Sequence, residues 1–532
     1  MSVFAKTRQL FEPVSMPRKN VTRFALARRF SLDSLAESAK SMMSLTAAVW
    51  LAIVGSVLAF GFGRDFERPK LLCLSFAAAM MLPRAVSIWP ALPKQLRIAV
   101  LIWLLALGAS VIYSLDPARA LIGSFERSQG AFVLLCCTIF AVARVPAARL
   151  IVPVSVAAII SGVWALVQLS GFEAPLFSTL GISESGWHGA FGWRAFASFG
   201  NPTALGSWLT IALTFLFFSR FQTARSEYSA RIRRLLTCAL FFAACGVLAS
   251  GTRAAWMAIV IVALLQIRQK KWLLIIGLTA LVPIALAMLS LRVESIQARF
   301  ELAGAALNSA KITRMDALGR SDPYPAARFW FGTGPDLQVV LLEQNLPNRV
   351  PGEMPDRAHQ MLLDGYLSIG LLGVICWLWL MTAVWLGRGD ACQGIAYALL
   401  AGLITWQFGF ALSAEKGFFA LLLGSMHGSQ TYPLAAPLRK NSVWIKILAS
   451  LLAVFSTLSH APKALIAPEI MAPWRRPERA ISHFERARAE IVANRGEPAR
   501  LELAQAVALD PWRSDLARAN ANLARELGHA RQ

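Results

Sequence analysis

The chain has 532 residues, 56% of them hydrophobic and 16% charged, with mean hydropathy +0.53 and a formal net charge of +23. Its apolar residues gather into blocks of about 15 to 22, the length that crosses a hydrocarbon core as helix, which excludes an ordinary water-soluble fold. A closed β-barrel is excluded as well, because its short segments of alternating polarity are absent.

The N-terminal segment, 1–43, carries eight Lys and Arg and leads into the first apolar block. Its run VTRFALARRFSLDSLAESAK reads equally as a basic amphipathic helix on the membrane or as a solvated tail. It is not a cleavable signal peptide, since the first apolar block starts late, is long and lacks a small-residue cleavage site. Thirteen candidate spans follow: 44–63, 70–89, 96–113, 130–145, 150–170, 202–220, 235–250, 254–267, 272–290, 360–386, 393–412, 414–427 and 443–460. The sequence thus predicts an all-α polytopic membrane protein of 12 to 13 transmembrane helices, with a large loop, 291–359, between helices 9 and 10.

Orientation follows from the basic residues, which collect in short cytoplasmic loops. The N-terminal segment is basic, and counting alternately from it the inner loops hold Lys94 and Arg97, Arg144 and Arg149, the Arg220 to Arg234 cluster, Arg268 to Lys271, Arg388, and Arg439 to Lys446. The alternation survives the whole chain and places 291–359 and everything after residue 460 outside the cytoplasm. The positive charge therefore needs no nucleic acid: it is topology signal plus attraction to anionic headgroups, worth about 1 kcal/mol per basic residue. All seven cysteines fall in spans or on the inner side, so no disulfide framework is implied, and no Cys/His spacing matches a zinc site.

The segment 461–532 changes character, becoming rich in Ala, Arg, Glu and Leu. Its stretch LELAQAVALDPWRSDLARANANLARELG resembles part of a tetratricopeptide repeat, with Asp510-Pro511 starting a helix. One or two such repeats bury too little surface to stand alone, so this tail is expected to pack on the membrane domain or on a partner.

Four outward turns each carry an arginine beside glycines, aromatics or prolines: Arg127 in GSFERSQG, Arg194 in GWRAFASFGNP, Arg253 in SGTRAAW and Arg357 in DRAHQ. Guanidiniums converging on one membrane face make a receptor for phosphate, because the planar fork binds its oxygens in pairs and keeps its charge. The plainer reading is that each snorkels to a headgroup or caps a helix C-terminus. Ser250 to Arg253 reads as a turn between helices. Among six histidines, His359 stands out: it begins a helix at the membrane surface, follows Arg357, and titrates near neutral pH as a general base must. Asp364, about one turn further, would orient the imidazole or simply cap the helix. Glu126 and Asp336 read as solvated.

At these residues the chain resembles the O-antigen ligase and polymerase superfamily, whose signature is a Gly-x-Gly turn in a large periplasmic loop followed by a His-led helix ending in Gly-Leu-Leu-Gly. The elements here are FGTGPDL, with Gly332 and Gly334, and HQMLLDGYLSIGLLG from His359 to Gly373. RAFASFGNPTALG, SGTRAAW and FFALLLG are similar to further family patterns, so the likeness covers residues 120–425 of a membrane domain spanning 44–460.

The resemblance implies a bacterial inner-membrane enzyme that transfers glycan, with inversion and without metal or other cofactor, from undecaprenyl diphosphate to an acceptor hydroxyl on the periplasmic face. His359 resembles the general base, with Arg357 beside it, and Arg194, Arg253 and Arg127 resemble the arginines of the diphosphate site. Gln360 departs from the pattern, which commonly has Asn after the histidine. Three acceptors remain open: lipid A–core for an O-antigen ligase, a growing glycan for a polymerase, and a protein Ser or Thr for an O-oligosaccharyltransferase. A transporter or flippase of lipid-linked sugar is the non-enzyme alternative, but the internal repeats and broken helices expected of one are not seen in the sequence.

Overall fold

The computed structural model describes residues 43–59, 67–123, 130–171, 194–224, 230–266, 301, 304–305, 322, 324–338, 342, 360–386, 393–426, 442–460, 476–510 and 514–530. Among these the ordered elements are helical. The membrane helices are α1 (Met43–Leu58), α2 (Arg68–Ile88), α3 (Lys94–Ile112), the short α4 (Pro117–Ile122), α5 (Ala131–Ala143), α6 (Ile151–Leu169), α7 (Pro202–Ala224), α8 (Ala230–Ser250) and α9 (Arg253–Gln266). After the one-turn α10 (Arg328–Phe331) come α11 (Met361–Leu386), α12 (Gln393–Gln407), α13 (Ser413–Ser425) and α14 (Ser442–His460), then three tail helices, α15 (Arg476–Val492), α16 (Gly496–Leu509) and α17 (Ser514–Ala530). The chain is an all-α polytopic membrane protein, and among the described residues six helices are long and apolar enough to cross a membrane. Each predicted span has its helix except 272–290, which lies outside the described residues.

Several helices begin at turns whose chemistry is visible in the sequence. Asp116 Oδ1 accepts from the backbone N–H groups of Ala118 and Arg119 at 3.0 and 3.2 Å, and Pro117 fills the first helical position of α4, where no N–H is needed. Asn201 does the same for α7, accepting from Thr203 N at 2.8 Å ahead of which stands Pro202. Small residues let the helices close up: a Cβ on Gly162 would stand 2.2 Å from the Phe242 carbonyl oxygen, so α6 and α8 touch backbone to backbone.

The same contacts fix which helix ends lie together. Trp103 Nε1 donates to Thr138 Oγ1 at 3.1 Å, and Gly130, ahead of α5, lies against Leu121 and Gly123 at the end of α4, so α5 runs back antiparallel to α3. Arg84 donates to the carbonyls of Ala143 and Arg144 at 2.8 and 3.3 Å, and Gly424 lies against Ala141, so α2, α5 and α13 run parallel. Their N-termini share one end with the C-terminus of α3. At that end Glu67 and Lys70 pair at 3.3 Å, Glu67 Oε2 accepts from Ser413 N at 2.9 Å, and Lys70 Nζ lies 5.1 Å from the centre of the Phe199 ring. Glu415, also buried, accepts from Leu412 N at 2.8 Å and Trp406 Nε1 at 3.2 Å. The ions thus tie the starts of α2 and α13 to each other and to the turn ahead of α7, which satisfies charges that would be costly alone in this setting.

The sequence treats 360–386 as one continuous span, and here the structure differs. At Gly370 the backbone leaves the helix, with φ 70° and ψ −175°, and α11 splits into a rim helix, 361–369, and a deeper segment.

Candidate functional site

Arg194 and the Ser250 to Arg253 turn come together. The Arg194 Nε donates to the Ser250 carbonyl at 2.9 Å and one Nη donates to Thr252 Oγ1 at 3.3 Å, while Ala195 N donates to the Ala249 carbonyl at 3.0 Å. Thr252 Oγ1 in turn donates to the Pro202 carbonyl at 2.9 Å. Arg194 thus ties off the last turn of α8 while Arg253 opens α9 on the far side of the same turn. A Cβ on Gly206 would lie 2.6 Å from Ser250 Oγ and Thr252 Oγ1, so α7 presses directly on this turn. The plainer reading of Arg194, a helix cap, is present, and Arg253 stands at the other end of the same small turn. Arg127, Arg357 and His359 lie outside the described residues.

The Gly332 to Gly334 turn sits on the rim helix. Gly332 has φ 69° and Gly334 φ 103°, values that disfavour a side chain, and the turn is locked by Thr333 N to the Leu367 carbonyl at 2.9 Å and Gly334 N to the Ser368 carbonyl at 3.0 Å. On its other side Leu115 N, just past α3, donates to the Thr333 carbonyl at 3.1 Å. Arg328 anchors the approach through a buried two-pronged pair with Asp322, at 2.8 and 2.6 Å, and through the Tyr113 carbonyl. Asp336, expected to be solvated, is buried at 4% exposure and lies 3.9 Å from the Arg119 guanidinium. An ion partner on a distant segment is what permits this burial.

Gln360, the residue after His359, closes the rim helix. Its Oε1 accepts from Leu363 N at 2.8 Å and its Nε2 donates to Gln407 Oε1 at 3.0 Å. Two residues before Gln407, Thr405 shares a 2.8 Å hydroxyl contact with Ser207, the neighbour of Gly206. These two contacts join the start of the rim helix to α12 and α12 to α7, the helix that presses on the Arg194 and Thr252 turn. Below it, between α3, α5, α11, α12 and α13, opens a cavity with about 1230 Å³ of empty volume, part of it continuous with the surroundings. Its walls are mainly apolar, among them Trp103, Leu134, Trp377, Leu380, Phe419 and Leu423, while Asp364, Ser368, Gln338 and Lys416 supply polar groups.

Lys416, Gln338 and Gln407 were not singled out in the sequence. Lys416 carried a signal, being a charge inside an apolar helical segment. Gln407 had none, because its relevance is a contact across the bundle.

Residues 238–378 match the family model described as O-antigen ligase, a segment that holds the Ser250 to Arg253 turn, the Gly332 to Gly334 turn, His359 and the rim helix. No curated protein matches the chain.

Proposed function

Because the chain carries an O-antigen ligase domain over residues 238–378, of a family whose members are glycan-transferring membrane enzymes, we propose that it transfers glycan from undecaprenyl diphosphate to the lipid A–core acceptor on the periplasmic face. The observation that carries this reading is the apolar cavity opening beside the rim helix, which is joined through α12 to α7, the helix packed against a turn bearing two arginines. A polyprenyl chain matches the apolar walls, and a diphosphate matches Arg194 and Arg253.

In this mechanism the arginines stabilise the charge that develops on the departing diphosphate, commonly the largest catalytic contribution in a partly dry site. His359 takes the proton of the acceptor hydroxyl as its oxygen attacks the anomeric carbon, worth about 10²- to 10⁴-fold. The bond from the anomeric carbon to the diphosphate oxygen breaks in the same displacement, so configuration inverts. Arg127 is assigned to the same anionic site, and Arg357 to the catalytic group beside His359.

The test is direct. Full-length protein in detergent, given undecaprenyl diphosphate glycan, lipid A–core and excess chelator, is expected to release undecaprenyl diphosphate and extend the acceptor. Activity lost with chelator and restored by magnesium would overturn the metal-free mechanism. Transport of lipid-linked glycan across sealed vesicles, with no acceptor glycosylated, would replace the enzyme reading with a transporter.

A further inference from the structure

The C-terminal tail reaches the Gly332 to Gly334 turn through one buried arginine. Asp510, directly after α16, is 1% exposed, and its carboxylate oxygens lie 3.5 and 3.2 Å from Arg119 Nη1. The same guanidinium, itself 3% exposed, lies 3.9 Å by its Nε from Asp336 Oδ2. Arg119 stands on α4, whose Ala120 forms part of the wall met by a Cβ at Gly334. Neither Arg119 nor Asp510 falls within the O-antigen ligase match.

Asp336 is a non-glycine residue at φ +66°, two positions after Gly334 and four after Gly332, each also at positive φ. Backbone of this kind persists only where its surroundings over-determine it. The rim helix holds one side of the turn through the Leu367 and Ser368 carbonyls; on the other, Leu115 N donates to the Thr333 carbonyl and Arg119 of α4 sets its charge 3.9 Å from Asp336. Asp510 holds Arg119 by its Nη1, and this leaves Nε facing Asp336 at 3.9 Å as a charge contact without a hydrogen bond; with Asp510 gone, Arg119 is free to swing toward the space the tail vacates.

We propose that Asp510 is a positioning residue: it orients Arg119 against Asp336, and so holds the Gly-x-Gly turn on the rim helix that follows His359. The tail is then a working part of the transfer site. The expected effect on turnover rests on the glycan-transfer reading given above, whereas the effect on the turn does not.

Both are measured on the full chain in detergent. Hydrogen exchange at the Thr333 and Gly334 amides reports the turn, and kcat and donor KM are measured with undecaprenyl diphosphate glycan and lipid A–core. Asp510→Asn is expected to speed exchange at those two amides about tenfold or more, while the amides of α3 exchange as in the parent. kcat is expected to fall about tenfold with donor KM within about twofold, because the substrate still binds but the reacting groups are misaligned. Asp510→Glu should restore most of both, and Asp510→Asn combined with Arg119→Gln should be no worse than Arg119→Gln alone, as for residues acting through one another. Should Asp510→Asn fold poorly, Arg119→Lys keeps the charge but loses the fork and is expected to give a smaller rise at the same amides. Unchanged exchange in both Asp510→Asn and Arg119→Lys overturns the proposal. Faster exchange with unchanged kcat overturns it too, reducing the contact to docking of the tail. Faster exchange in a protein whose parent transfers nothing removes the enzyme reading and leaves the positioning intact.

Discussion

Gly370→Ala isolates the break in α11. At φ 70° and ψ −175° the position lies in a region that only glycine occupies without penalty, so alanine costs about 1–3 kcal/mol in backbone strain alone. The added Cβ would also stand 2.2 Å from the Trp330 carbonyl oxygen and 2.4 Å from Phe331 N, both backbone atoms that no rotamer change can move aside. Forcing such a contact apart adds about 1–3 kcal/mol, for a total of about 2–6 kcal/mol. The strain has one outlet, a shift of α10 and the Gly332 turn away from the rim helix. A displacement of about 1 Å at a site of this kind costs about 10²-fold in rate. Gly108→Ala is the control, since nothing lies within 4 Å of its Cβ position and its φ is ordinary, so it should match the parent or gain about 0.5–1 kcal/mol of helix stability. Thermal unfolding of the detergent-purified proteins, with turnover measured in parallel, separates the two. A Gly370→Ala protein that melts and turns over like the parent would refute the account of the break.

Arg194→Lys and Arg253→Lys should each weaken use of the diphosphate donor, since a point charge cannot replace the fork, and Arg194→Lys should also lower the melting temperature because it loses a contact to the end of α8; normal donor KM and turnover in both would return the arginines to capping and headgroup roles. His359→Ala should remove most turnover while donor binding and membrane insertion persist, and near-normal turnover would sink its assignment as base. Reporters active only outside the cytoplasm should work when fused at about residue 330 or 480 and fail at about 228, and silence at 480 would contradict the orientation proposed for the tail.

What hydropathy could see, it placed well, because a span is a property of many residues at once. Every predicted span within the described residues has a helix, and the turn from Ser250 to Arg253 lies where the polar residues interrupt the apolar run. The break at Gly370 is a property of one φ angle, and an averaging window cannot register it. Its trace in the sequence was indirect: Gly365, Gly370 and Gly373 in an apolar run, with Gly-Thr-Gly upstream supplying the surface that closes on it.

Asp336, read as solvated, is buried for a different reason. Read singly, Asp336, Arg119 and Asp510 belong in water, because the desolvation cost of one charge is not returned by their own neighbours in sequence. Pairing reverses that sign, and here the partners come from remote segments: Asp510 of the tail for Arg119 and Asp336 for the same guanidinium, while Glu67 adds the start of α13 to its local pair with Lys70. A one-residue reading therefore assigns such groups to solvent systematically wherever the fold has recruited them to join distant pieces. Beside the Gly-x-Gly turn and the rim helix that recruitment joins α4, the turn and the tail through Arg119, so residues that look least structural in the sequence are the ones that bring these pieces together.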